Sequence, residues 1–171
     1  KNTEWPRGDI DRFVLAGLEA KGIKPVGDAD GLSLLRRLCF DLAGLPPSPE
    51  MARRFLANNS PQAVEELVDS LLGSRQFGER WGRHWLDVAR YAESTGKDLN
   101  VAFPHAWRYR DYVIAAFNKD KPYDQFIREQ IAGDLLPAKD AATRAEHLIA
   151  TGFLAIGPKG LGELTPRQFE L

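Results

Sequence analysis

Two side chains capable of acid–base chemistry lie three positions apart in the segment FGERWGRHWLDVARYAESTG, residues 77–96. At about 100° per residue, one arc of this predicted helix is apolar, and the opposite arc holds His84 and Asp87. An aspartate at this spacing can accept a hydrogen bond from the imidazole and orient it, as in a general base. His84 and Asp87 are therefore the candidate catalytic residues.

Arginines flank the same carboxylate. Arg83 precedes Asp87 by four residues and Arg90 follows it by three, so one carboxylate can lie between two guanidiniums. This cluster could bind an anion, and an ion-pair network on a solvated or interhelical face would use the same residues. The candidate binding residues are Arg80, Arg83, Arg90, Tyr91, Arg108 and Arg110.

A second predicted helix, HAWRYRDYVIAAFN at 105–118, is apolar around most of its circumference but carries Arg110 inside the apolar arc. A buried charge is costly without a partner, so we expect either a nearby carboxylate or a stem that packs while the guanidinium reaches water. The candidate carboxylates are Asp87, Asp111 and Glu129. The tryptophans expected to be buried between the two helices are Trp81, Trp85 and Trp107.

The elements that must position these residues are helices. Apolar residues recur at helical spacing along the chain, and no alternation is long enough for a confident strand. Ser48-Pro49 and Ser60-Pro61 each place a capping residue before a proline at the first helical position. We predict an all-α fold, a single irregular bundle of roughly seven helices over residues 1–171. Its helices are expected at about 9–22, 32–44, 49–58, 61–73, 74–96, 105–118, 122–133 and 141–156, followed by an irregular tail at 157–171.

Composition argues against several classes of protein. The 23 Lys and Arg residues balance 24 Asp and Glu residues, which argues against a dedicated nucleic-acid binder. The single cysteine, Cys39, is predicted to be buried and cannot form an internal disulfide or a CxxCH haem attachment. The three histidines form neither HxxxH nor HExxH, so no metal site is expected. No apolar run approaches the length of a membrane span.

Several long segments together resemble one known family. They are IDRFVLAGLEAKGIKP at 10–25, LLRRLCFDLAGLPPSPE at 34–50, FGERWGRHWLDVARYAESTG at 77–96, AWRYRDYVIAAFNKDKPYDQFIREQIAGDLLP at 106–137 and ATGFLAIGP at 150–158. The chain resembles the domain of unknown function that accompanies cytochrome-c-like domains in exported planctomycete proteins.

The resemblance implies a fragment of a larger multidomain protein that is exported to the periplasm or the cell surface. Its partners would be other domains of the same polypeptide, a cytochrome-c-like domain among them. It implies no cofactor in this fragment and a covalent haem c in the parent protein beyond Leu171. The leading hypothesis is a helical scaffold or docking domain that performs no chemistry by itself. The alternatives are an enzyme or a carbohydrate-binding module with a site between helices 77–96 and 105–118.

Overall fold

A computed structural model describes residues 4–58, 60–96 and 100–157, and it confirms the all-α class. The helices in these ranges are α1 (Asp9–Ala20), α2 (Gly31–Leu42), α3 (Pro49–Ala57), α4 (Pro61–Leu72), α5 (Arg75–Val88), α6 (Ala106–Asn118), α7 (Tyr123–Ala132), α8 (Ala141–Ala150) and α9 (Gly152–Ala155). Within the described ranges the β structure is limited to one isolated antiparallel bridge between Ser94 and Ala102. The predicted tail lies outside the described residues beyond position 157. That residues 1–171 form one domain of a larger protein stays a prediction.

Two helix starts follow the predicted serine–proline arrangement. The Ser48 hydroxyl accepts a hydrogen bond from the backbone N–H of Met51 at 3.1 Å, and the Ser60 hydroxyl accepts one from Ala63 at 3.2 Å. Each bond satisfies an amide that the first turn of a helix leaves free. At the start of α1, Gly8 occupies the capping position.

The long helix predicted to reach residue 96 is shorter than expected, since α5 ends at Val88. Arg90 adopts a left-handed conformation with φ of 54°, which the following residues cannot continue as a right-handed helix. The Tyr91 N–H donates to the Leu86 carbonyl at 2.9 Å and closes the end of the helix. The helix predicted over 141–156 is likewise divided in two, with the break at Thr151.

The buried side chains form two apolar clusters. The first comprises Leu35, Cys39, Phe55, Ala63, Leu67 and Leu71 of α2, α3 and α4, and it confirms that Cys39 is buried. The second comprises Leu86, Ala89, Tyr109, Tyr112, Val113, Ala116, Phe126 and Ala150. Helix α5 contacts α2 and α4 as well as α6, so it connects the two clusters.

Glycines of α5 allow its close approach to α6. A Cβ at Gly78 would lie 2.5 Å from the carbonyl oxygen of Ile114, which is closer than real Cβ contacts allow. The prediction that three tryptophans would be buried between these helices is wrong for two of them, because Trp81 is 38% exposed and Trp107 is 45% exposed. The Trp81 indole N–H instead donates to the Asp41 carbonyl at 3.1 Å, and the Arg108 guanidinium lies over the Trp107 ring.

Candidate functional site

The two candidate catalytic residues are both exposed on α5 and are not brought together by a hydrogen bond. Asp87 accepts a hydrogen bond from Arg83 Nε at 2.9 Å. The His84 ring packs edge-on against the Trp81 ring, with centroids 5.3 Å apart. The Arg83–Asp87 pair confirms the predicted ion pair, whereas the orienting contact between Asp87 and His84 is absent from the described residues.

The candidate binding residues are dispersed over the surface of the described chain. Arg90 lies beyond the end of α5, so it does not share the polar arc of that helix. Arg80 is half-buried, and its Nε is buried without a hydrogen-bond partner. Arg108 packs over an indole ring, with 5.5 Å from its Cζ to the ring centroid.

Tyr91 and Arg110 are brought together through a shared acidic partner, Glu93. The Tyr91 hydroxyl donates to Glu93 Oε1 at 3.0 Å, and Arg110 Nη1 lies 3.5 Å from the same oxygen. Burial, reinforced by the hydrogen bond to Glu93, raises the pKa of Tyr91 to about 12. Arg110 also pairs with Asp111 at 2.9 Å, and Asp111 is one of the carboxylates predicted as its partner. That hydrogen bond raises the pKa of Arg110 above its ordinary value.

The structure contains a second polar cluster, which the polar arc of α5 did not predict. We call it the buried ionic cluster, and its members are Tyr112, Lys121, Gln125, Glu129, Glu146 and His147. Glu129 lies on α7 and is only 1% exposed. Its carboxylate accepts hydrogen bonds from the Tyr112 hydroxyl at 2.8 Å, from the Gln125 amide at 2.8 Å and from the Lys121 ammonium.

The lysine of this cluster is shared between two carboxylates. Lys121 precedes α7 in the loop after α6, and its ammonium also donates to Glu146 Oε1 of α8 at 2.9 Å. The same ammonium lies 4.8 Å from the centroid of the Tyr112 ring, within cation–π range. The cluster therefore joins α6, α7 and α8, and it adjoins the second apolar cluster through Tyr112.

Its electrostatics follow from burial and hydrogen bonding. Burial by itself would raise the pKa of Glu129, but the hydrogen bonds from Lys121, Gln125 and Tyr112 outweigh it and hold that pKa below its ordinary value. Burial, followed by the hydrogen bond to Glu129, raises the pKa of Tyr112 far above its ordinary value. His147 Nε2 lies 3.7 Å from Glu129 Oε1, and His147 Nδ1 is buried without a hydrogen-bond partner.

A neutral network lies beside the ionic one. The Trp85 indole N–H donates to Gln130 Oε1 at 2.8 Å, and the Tyr109 hydroxyl donates to the same oxygen at 2.5 Å. Gln130 also donates from its amide nitrogen to the Phe126 carbonyl at 3.1 Å. Because Gln130 is buried, these bonds satisfy an amide that would otherwise be costly to desolvate.

One signal in the sequence could have located both networks. Phe126, Glu129 and Gln130 fall at positions i, i+3 and i+4 of α7, so two polar side chains share one face with a core phenylalanine. Polar residues on a buried face require partners. Their identity depends on residues from other helices, so sequence spacing alone does not supply it.

Two open concavities adjoin the buried ionic cluster. The first, which we call the aromatic pocket, has a volume of about 130 Å³ and is lined chiefly by Phe77, Trp85, Phe117, Asp120, Tyr123 and Phe126. The second, which we call the α6–α8 groove, has a volume of about 520 Å³ and contains Trp107, Arg108, Asp111, Lys119 and Glu146 among its lining residues. Helices α5 and α6 both contribute residues to the aromatic pocket, and a functional site between them stays a prediction.

Within the described ranges, no group of three or more His, Cys, Asp or Glu side chains is placed to hold a metal ion. In the same ranges, no helix is both long enough and apolar enough to cross a bilayer.

Comparison with known proteins identifies one family. Residues 9–170 match the family model described as PSCyt2, protein of unknown function (DUF1549). The match covers almost the whole chain, so the chain belongs to this family. No curated protein and no solved structure matches it.

Proposed function

We propose that this PSCyt2-family chain is a helical docking domain that binds a neighbouring domain of the same polypeptide. The observation that carries the proposal is an apolar surface on α1. Ile10 and Phe13 are 79% and 80% exposed, and Val14 beside them is 47% exposed. These side chains share one side of the helix, since they lie at positions i, i+3 and i+4. We call this surface the α1 face.

Two leucines of α1 are less exposed than the residues of the α1 face. Leu15 is buried, and Leu18 is half-buried. Neither residue belongs to the two apolar clusters of the described chain. Helix α1 therefore keeps its largest apolar surface in contact with solvent. Exposed apolar surfaces of this kind are typical of protein–protein contacts.

The buried ionic cluster supports a structural rather than a chemical role for the helices around it. Its carboxylates and ammonium are already paired with one another, and Glu129 is almost inaccessible. These bonds join α6, α7 and α8, and a buried hydrogen-bond network rigidifies the elements that it joins. This arrangement suits a domain that serves as a rigid support.

The resemblance described above suggests the identity of the partner. We expect a cytochrome-c-like domain in the parent protein, with covalent haem c beyond Leu171, and export to the periplasm or the cell surface. In that setting the α1 face would lie against the partner domain, and the helical domain would fix the position of the haem segment. The proposal assigns no reaction to this chain.

The test compares two apolar-to-serine substitutions. Phe13→Ser removes the centre of the α1 face, and Leu135→Ser changes a residue of similar exposure, 79%, in the segment after α7. Binding of the parent's haem-bearing domain to each variant would be measured by calorimetry. We expect Phe13→Ser to weaken binding at least tenfold, which corresponds to a loss of about 1.4 kcal/mol. Removal of a central apolar anchor typically costs more than this. We expect Leu135→Ser to leave the affinity unchanged. If Phe13→Ser and the unsubstituted chain bind the haem-bearing domain with equal affinity, the proposal is contradicted.

A carbohydrate-binding role is the second candidate, and Trp107 is the observation that favours it. This half-exposed indole lines the α6–α8 groove together with Arg108, Asp111 and Glu146. An aromatic platform bordered by charged hydrogen-bonding groups suits the apolar face and the hydroxyl edges of a sugar ring.

Oligosaccharide titrations of the unsubstituted chain and of Trp107→Ala would test this second candidate. Saturable binding that Trp107→Ala abolishes would support it. Binding that Trp107→Ala leaves intact, or no binding of the neutral oligosaccharides tested, would exclude the groove as a sugar site.

A further inference from the structure

The aromatic pocket is built from residues of three elements and is distinct from the α1 face and the α6–α8 groove. Phe77 and Trp85 come from α5, Phe117 from α6, and Tyr123 and Phe126 from α7. Five aromatic residues line this concavity of about 130 Å³, and one of them, Tyr123, is 69% exposed. Its ring is therefore available to a ligand.

The rings of the pocket meet one another at steep angles. The Trp85 ring is inclined at 83° to Tyr123 and at 66° to Phe126, with centroids 6.4 Å and 4.9 Å apart. Phe117 is inclined at 69° to Phe126. The face of an aromatic ring is electron-rich and attracts cations, so a concavity lined by five aromatic residues favours a positively charged ligand.

The polar groups of the pocket also favour a cation. Asp120 is one of the lining residues, is exposed, and has no ion-pair partner within the described residues. Helix dipoles favour neither sign of charge here, because the pocket adjoins both the C-terminal end of α6 and the first turn of α7. The negative charge of Asp120 would stabilise positive charge beside the rings.

Lys121 also lines the pocket, but its charge is already compensated. Its ammonium donates to Glu129 and to Glu146 and lies over the Tyr112 ring, and none of these three residues lines the aromatic pocket. Lys119 lies 3.9 Å from Glu146, so the two lysines balance the two glutamates. Asp120 remains as the uncompensated charge beside the pocket.

From these observations we propose that the aromatic pocket binds a quaternary ammonium group. Such a group is large, weakly hydrated and without N–H donors, so it suits aromatic walls better than a carboxylate cage. An apolar cavity of about 150 Å³ accommodates benzene, so a pocket of 130 Å³ is of the size required by a tetramethylammonium ion. This inference does not depend on the docking function proposed above, and either can fail alone.

The test uses a matched pair of probes that differ in charge but hardly in shape. Choline would be compared with 3,3-dimethylbutan-1-ol, in which a carbon atom replaces the ammonium nitrogen, at constant ionic strength. Tryptophan fluorescence and amide chemical shifts of residues around Trp85 would report occupancy. We expect saturable choline binding in the millimolar range and an affinity for the neutral alcohol that is lower by about fivefold or more.

Two carboxylate substitutions locate the site. Asp120→Asn removes the charge while keeping the shape, and it should weaken choline binding by about fivefold without affecting the neutral alcohol. Asp111→Asn makes the same change on the groove side of α6 and should leave both probes unaffected. Tyr123→Ala, at an exposed ring, should weaken choline binding without unfolding the protein.

Three results would overturn the proposal. They are equal affinity for choline and the neutral alcohol, equal effects of Asp120→Asn and Asp111→Asn, and no saturation with choline up to about 100 mM, where the binding energy falls below that of a specific site.

Discussion

The hydroxyl of Tyr112 on α6 donates a hydrogen bond to the carboxylate of Glu129 on α7, at an oxygen–oxygen distance of 2.8 Å. Both side chains are buried in the described structure. The bond thus joins two helices at a point where water does not compete, and its loss should be measurable.

Tyr112→Phe removes this donor and leaves the carboxylate with two of its three partners. We expect the free energy of unfolding to fall by about 1–3 kcal/mol, the cost of a lost buried hydrogen bond to a charged group. Urea denaturation would measure it. Tyr91→Phe is the matched control, because its bond goes to the exposed Glu93 and should contribute at most about 1 kcal/mol. A smaller effect for Tyr112→Phe than for Tyr91→Phe would contradict the assigned roles.

Lys121→Met tests the ion pairs of the same cluster. The substitution keeps an apolar stem but leaves the buried Glu129 carboxylate without its cation, so we expect a loss of about 3–5 kcal/mol. Arg83→Met breaks the exposed pair with Asp87 on α5 and should cost at most about 1 kcal/mol. Thermal unfolding of both variants would compare the pairs. Similar losses of stability for the two variants would contradict the expectation that burial makes the Lys121–Glu129 pair the stronger one.

The depressed pKa of Glu129 predicts a loss of stability in acid. The unfolded chain binds a proton at this residue near pH 4.3, whereas the folded protein resists protonation until a lower pH. The stabilisation is therefore complete above the unfolded pKa and is lost as the pH falls through the folded pKa. Urea denaturation between about pH 3 and pH 6 would follow this loss.

Glu129→Gln removes the titrating group, so the stability of this variant should depend less steeply on pH over the same range. Glu79→Gln, at an exposed carboxylate paired with Arg75, should keep the slope of the parent protein. If the free energy of unfolding of Glu129→Gln depends on pH as steeply as that of the unsubstituted protein, the acid sensitivity belongs to other carboxylates.

The helices themselves were predictable from sequence because their signals are local. Helical spacing of apolar residues, together with serine–proline pairs, gives α3 and α4 to within about a residue of their ends. The end of α5 was missed, since Arg90 enters the left-handed region without a glycine or a proline to mark it. Local signals describe a turn only when the residue that forms it is typical of that turn.

The position of the polar sites was not predictable, because they depend on contacts between distant segments. Lys121, Glu129 and Glu146 meet across 25 positions of sequence, and each looks like an ordinary surface charge in its own segment. The apolar spacing of α1 predicted a helix correctly, but it did not show that Phe13 faces solvent. Periodicity identifies an apolar face and leaves open what covers it.

Trp85 and Trp81 test the corrected assignment of the tryptophans. Trp85 packs on Phe126 and donates to Gln130, so Trp85→Ala should cost about 3–5 kcal/mol. Trp81 is more exposed and donates only to a backbone carbonyl, so Trp81→Ala should cost less, about 1–2 kcal/mol. Chemical denaturation would rank the two. A larger loss for Trp81→Ala would mean that the contact of α5 with α2 matters more than its contact with α7.

Arg90 offers a test of opposite sign, in which removing a side chain stabilises the fold. A non-glycine residue in the left-handed region carries a cost of about 1–2 kcal/mol, part of which glycine offsets by its greater freedom in the unfolded chain. We therefore expect Arg90→Gly to raise the free energy of unfolding by about 0.5–1 kcal/mol. Arg83→Gly makes the same chemical change inside α5, where glycine weakens a helix and the pair with Asp87 is also lost, and should lower that free energy by about 1–2 kcal/mol. Urea denaturation of the two variants should thus shift the midpoint in opposite directions. If Arg90→Gly lowers the midpoint as Arg83→Gly does, the left-handed turn does not end α5, and the helix continues towards residue 96 in solution.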